Sequence, residues 1–178
     1  MLLDAYRRFE GGAQPIKGEA TEADRTDAIE ILSFEQLIQP NRELHTGEPR
    51  GMVRTGPLRI IKPLDRASVF IYSAAYRNDM FPKAVLSLYQ PKADGSGKIC
   101  YLQITLEHVA IGEIQVMGDP RLHTWEDGMF LPASAAEFAS MGPLEAVELH
   151  YETANWLYKG GAGTANVAAQ FSRRSPGA

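Results

Sequence analysis

Few side chains in this chain stand at spacings that support chemistry. His123-Thr124-Trp125-Glu126-Asp127 sets an imidazole near two carboxylates, a weak metal-holding set. The plainer reading is a solvated loop, and no metal site is assigned. The other histidines, His45, His108 and His150, do not share an element at ligand spacing, and His108 and His150 read as strand residues. Asp94-Gly95-Ser96-Gly97-Lys98 looks like part of a phosphate loop. That pattern needs glycine where Lys92 stands and Ser or Thr where Ile99 stands, so the segment reads as a hairpin turn. Cys100 alternates with Leu102 and Ile104 on an apolar face, which makes it a structural thiol and not a nucleophile. No Gly-x-Ser-x-Gly elbow occurs. Glu30 and Glu35 fall on opposite faces of one β-prone run and cannot act as a carboxylate pair. Gly160-Gly161-Ala162-Gly163, Arg173 and Arg174 read as a flexible, solubilising end. No catalytic residue, cofactor or metal follows.

The composition narrows the class. The chain has 178 residues, 44% hydrophobic and 22% charged, enough for one domain with a real core. A single cysteine excludes an internal disulfide framework. A net charge of −4 speaks against a nucleic-acid binder with a broad basic face. No run reaches the ~18 apolar residues of a membrane span. The opening Met1-Leu2-Leu3-Asp4-Ala5-Tyr6-Arg7-Arg8 carries charges where a secretory signal is apolar, so export by a signal peptide is not expected.

The elements that position these residues are mostly strands. Ala84, Leu86 and Leu88 alternate with polar neighbours. So do Cys100, Leu102, Ile104 and Leu106, and Pro91–Gly97 is rich in turn formers, so the pair predicts an antiparallel hairpin. The second strand runs on past Gly112, where a bend is expected. Residues 28–38 form a long β-prone run with Leu32 and Phe34 on one face and Ser33 and Glu35 on the other. Leu58–Lys62 and Val147–Tyr158 add more strand character. Arg66–Arg77, capped by Asp65, is the clear helix, with Ala67, Phe70, Ile71, Ala74 and Ala75 in a stripe. A shorter helix is expected at Pro132–Met141. Gln39–Gly56 and Gly118–Pro143 read as long loops, the second carrying the apolar Met129-Phe130-Leu131. The expected fold is mainly β: a closed antiparallel barrel or sandwich with one flanking helix and long inter-strand loops.

An ordered series of segments resembles a known family. Asp4-Ala5-Tyr6, Phe9-Glu10-Gly11 and Ile16-Lys17-Gly18-Glu19-Ala20-Thr21 are similar to the opening of the Hcp proteins, tube subunits of type VI secretion. Ile29–Phe34, Ile61–Ser68, Phe81–Ala84 with Leu86–Leu88, Tyr101–Val109, and Glu145–Tyr151 with Trp156 and Tyr158 follow in family order. The resemblance implies a single Hcp-like closed barrel over residues 1–178, with its core at about 4–158, an insertion at about 118–142 and a divergent tail at 159–178. The family's usual final strand is not evident in that tail. It also implies homohexameric rings that stack into a tube, with sheath and spike proteins as partners and possible effector cargo in the lumen. The subunit would assemble in the cytoplasm and then be secreted. Arg42, Glu43, Glu48, Arg50 and Arg54 are the ring-stacking candidates, and Ser33 and Glu35 the lumen-facing ones. A tail-tube protein of a phage or related contractile machine is the alternative, and a small-ligand-binding or enzymatic barrel is a further one.

Overall fold

The computed structural model describes residues 4–12, 14–22, 25–92, 94–118, 142–159 and 165–172. Among these lie strands β1 (Ala5–Glu10), β2 (Ile29–Ile31), β3 (Ser33–Gln39), β4 (Arg54–Pro63), β5 (Met80–Pro91), β6 (Lys98–Met117), β7 (Leu144–His150), β8 (Thr153–Tyr158) and β9 (Val167–Ser172), with helix α1 (Arg66–Tyr76) between β4 and β5. All pairings are antiparallel, in the order β2-β1-β5-β6-β7-β4-β3, and β8 joins β6 to β9. The short helix expected at 132–141, Met129–Leu131, and most of the 118–142 insertion lie outside the described residues.

The strongest alternation makes the centre of the sheet. Ala84, Leu86, Leu88, Ile104 and Leu106 are all buried, and β5 and β6 pair from Pro91↔Lys98 to Met80↔Ala110 as the hairpin predicts. Each large apolar side chain buried this way contributes about 1.5–3 kcal/mol. Strand β6 serves two partners on its other edge. Leu102–Glu107 pair with β8, and Ala110–Met117 pair with β7. The change falls at His108, whose φ of 51° lies in the left-handed region that strand residues avoid. The bend expected at Gly112 is present as a register shift between Ile111 and Ile114. There the backbone lies so close to the His150 imidazole that a Cβ on Gly112 would overlap it.

Two expectations are corrected. First, the hydrogen-bonded path is not closed: β2 and β3 are its free ends. They are consecutive in sequence, separated by Leu32, whose N–H donates to Ile61 O at 2.8 Å. Chain continuity through Leu32, and not a ladder, joins one end of the sheet to the other. Second, Leu32 and Phe34 do not share a face. Ile29, Ile31 and Phe34 meet the main core, while Leu32 packs with Ile61, Met117, Leu144 and Ala146. The chain changes parity at the bend, a shift that strict period-two reading cannot anticipate.

Helix α1 is set by its cap. Ser68 N–H donates to Asp65 Oδ1 at 3.2 Å, and Asp65 N–H donates to Ser68 Oγ at 3.0 Å, a reciprocal capping box. Ala67, Ser68, Ile71 and Ala74 form the buried face. Beneath the cap, Lys62 is fully buried and its Nζ donates to Asp65, Ser68 and Glu145 at 2.7, 3.0 and 2.7 Å. Ser68 Oγ also donates to Glu145 at 2.8 Å, and the Tyr72 hydroxyl donates to its other oxygen. This cluster ties the helix to β4 and β7.

Candidate functional site

The residues with chemical potential are scattered. Among the described residues no group of His, Cys, Asp and Glu is arranged to hold a metal. The His123 cluster and Gly160–Gly163 lie outside them, as do Arg173 and Arg174. Cys100 is half-buried, and its thiol donates to Leu102 O at 3.6 Å. Asp94 closes the β5–β6 turn by accepting from Ser96 N–H at 2.9 Å, a bond that holds its carboxyl below the usual range. His108 Nδ1 stands 3.5 Å from Glu152 on the outer surface. Glu30 pairs with Tyr6 and Glu35 with Arg59. Because the chain changes parity at Leu32, with Ile29, Ile31 and Phe34 all turned to the main core, both carboxylates are exposed on the side away from that core and not on opposite faces as the period-two reading expected.

The 39–56 segment is the most distinctive surface. It is not an irregular loop but a projecting arm that continues the β3–β4 hairpin. Gln39 pairs with Arg54, Arg50 N–H donates to Asn41 O at 2.8 Å, and Glu43 N–H donates to Glu48 O at 2.9 Å. An isolated bridge joins Arg42 and Pro49, and Gly47, at φ 72°, turns the tip. Three of the five charged candidates hold the arm itself. Arg50 pairs with Glu43 at 2.5 Å, and Arg42 donates to Gly47 O at 3.0 Å. Glu48 is exposed near the tip, and Arg54 opens β4 at the arm's base. The arm also carries apolar residues the charge pattern obscured: Leu44 is 96% exposed, Met52 62% and Val53 53%.

Ser33 and Glu35 share a face of β3. Ser33 is half-buried opposite Ile61, and Glu35 is exposed opposite Arg59, which in turn faces Glu148 on β7. Sequence reasoning missed a second, wider polar face. With Ala5, Leu86, Ile104 and Ala154 buried, the alternate residues of β1, β5, β6, β8 and β9 point outward. The register aligns them in rows: Tyr6, Ser87, Gln103, Leu157 and Ala168, then Arg8, Val85, Thr105, Asn155 and Gln170. A depression of about 160 Å³ sits at its β1–β5 side. There the Arg25 guanidinium lies 4.9 Å from the Tyr6 ring and 4.5 Å from Tyr89, and pairs with Asp4 at 3.3 Å. Burial pushes the Tyr6 phenol up to about 12.

Strand β9 supplies a strand in the tail, where the sequence left the presence of a final strand open. It pairs with β8 along Val167–Ser172, and Val167 is 63% exposed on the outer strand. Its Val-Ala-Ala-Gln-Phe run has too little alternation to be read alone. Its strand state comes from the partner it lies against.

A family model described as "Type VI secretion system effector, Hcp" matches residues 6–158. Solved structures match along the whole length. Hcp1 from E. coli EAEC 042, in a mutant form, superposes with a TM-score of 0.71 at 21% identity, covering 97% of this chain and 98% of that one. Hcp1 from Salmonella typhimurium gives 0.67 at 22% identity, with 97% and 95% covered. Secreted protein Hcp3 from Pseudomonas aeruginosa gives 0.65 at 18% identity, with 96% and 99% covered. At these identities the structures speak to the fold alone. No curated protein matches the chain.

Proposed function

The chain belongs to the Hcp family of type VI secretion proteins, and from that premise we propose that it builds the inner tube as homohexameric rings stacked end to end. The observation that carries this reading is the family match across residues 6–158. The family is one of structural tube proteins that self-assemble and are secreted. A ring of one kind of subunit needs a heterologous interface whose rotation closes. The free edges of this sheet, at β2, at β3 and at the outer strand β9, differ from one another and suit such an interface.

In this reading the 39–56 arm reaches the adjacent ring. Glu48 and Arg54 offer charge for register, Leu44, Met52 and Val53 offer area to bury, and Arg42, Glu43 and Arg50 keep the arm shaped. Ser33 and Glu35 remain lumen-facing candidates. The polar rows on β1, β5, β6, β8 and β9 form a second candidate lining, favoured by their width and largely uncharged character. Sheath, spike and effector proteins are the proposed partners. Among the described residues no helix is long and apolar enough to cross a membrane.

Export tests the assignment. The protein should appear in the medium of cells with a working contractile sheath and stay inside cells lacking it. Release that ignores the sheath would overturn export by this machine.

A further inference from the structure

Among the described residues three cationic side chains lie buried, and they are not treated alike. Lys62 has two carboxylates and a hydroxyl around it, and Arg25 has Asp4 and two tyrosine rings. Arg7 has neither. It lies on β1 between Ile29 of β2 and Leu86 of β5, with no exposed surface, on the inward face beside Ala5 and Phe9. Among the described residues nothing accepts from its Nε, Nη1 or Nη2. The guanidinium carbon lies 5.6 Å from the centre of the Phe9 ring. Burial lowers its pKa to about 9, which still leaves it charged at neutral pH. An aromatic face attracts a cation but cannot neutralise it, and an uncompensated buried charge is among the most destabilising features a core can hold. Neighbours such as Ala5, Ile29, Leu86 and Phe9 supply no side-chain acceptor.

We propose that the Arg7 guanidinium anchors an internal anion site that takes one small monovalent inorganic anion of the chloride class. The fork of N–H donors is the group that binds such anions, and the site has no exposed surface. Access requires a local opening of β2, whose pairing with β1 spans only Ala5↔Ile31 to Arg7↔Ile29. The anion then stabilises the native state by mass action.

The test compares urea unfolding in sodium chloride and in sodium gluconate at equal ionic strength, for the wild type and Arg7→Met. Chloride should raise the wild-type folding constant, approaching about tenfold per tenfold of chloride once the site is filled, and Arg7→Met should lose this difference. Superimposable wild-type curves, or a difference that persists in Arg7→Met, would overturn the proposal. Crystals of the wild type soaked in bromide give a reading independent of how the variant folds. An anomalous peak within hydrogen-bonding distance of the Arg7 guanidinium supports the site, and its absence sinks it. Neither experiment depends on ring formation.

Discussion

At the scale of the residue, the buried cluster at the start of α1 governs more than its size suggests. Lys62 and Glu145 are both fully buried and paired at 2.7 Å. Replacing such a pair by apolar groups is often neutral, but breaking it strands a charge. Lys62→Met should therefore cost about 3–5 kcal/mol in urea unfolding, and Lys62→Met with Glu145→Leu should recover most of that loss. Tyr72 reports the same cluster through pH. Burial, then its bond to the Glu145 carboxylate, pushes the phenol well above its ordinary value. A raised folded-state pKa means the stabilising form is the neutral phenol. Its contribution is complete below the ordinary phenol value near 10 and is lost as pH rises toward the folded value. Chemical denaturation above about pH 10 should show the wild type losing stability more steeply than Tyr72→Phe. Equal slopes would mean the phenol is not held by the carboxylate. Gly112 makes a steric claim. A methyl there overlaps the His150 ring, so Gly112→Ala should destabilise by about 1–3 kcal/mol.

At the scale of the element, the arm separates shape from assembly. Removing Arg42–Arg50 and closing the turn with glycine deletes the tip and the Glu43–Arg50 pair while leaving β3 and β4 paired from Ser33↔Ile61 through Gln36↔Leu58. Rings should survive and stacked tubes should be lost, as sedimentation velocity would show. Dissociation of the rings themselves would reassign the arm to the lateral interface. What the sequence revealed about these elements follows from which forces are local. The β5–β6 hairpin and α1 were legible because alternation, turn residues and the Asp65 cap all act within a few positions. The arm read as a loop because its order comes from cross-strand bonds such as Arg50 N–H to Asn41 O, which a polar, glycine-containing segment does not advertise. The bend at Leu32, the pivot at His108 and the edge strand β9 all depend on which strand lies alongside, and that is a property of topology. The wide polar face had the same obscurity, since its rows assemble from five strands far apart in the chain.

At the scale of the whole molecule, the features converge on assembly. The described surface carries a projecting arm with exposed Leu44 and Met52 and an exposed outer strand at β9. Two of its depressions, of about 370 and 160 Å³, are lined by Tyr72, Tyr76, Ile114 and Val116 and by Tyr6, Arg25, Ser87 and Tyr89. A subunit that works by repetition needs this distribution of edges and faces more than it needs a pocket. The central claim is that copies of this chain close into rings, and electron microscopy of the purified, concentrated protein tests it most directly. The expected result is end-on views of six-fold rings with an open centre, some stacked in side view. A strictly monomeric particle at high protein concentration would contradict it.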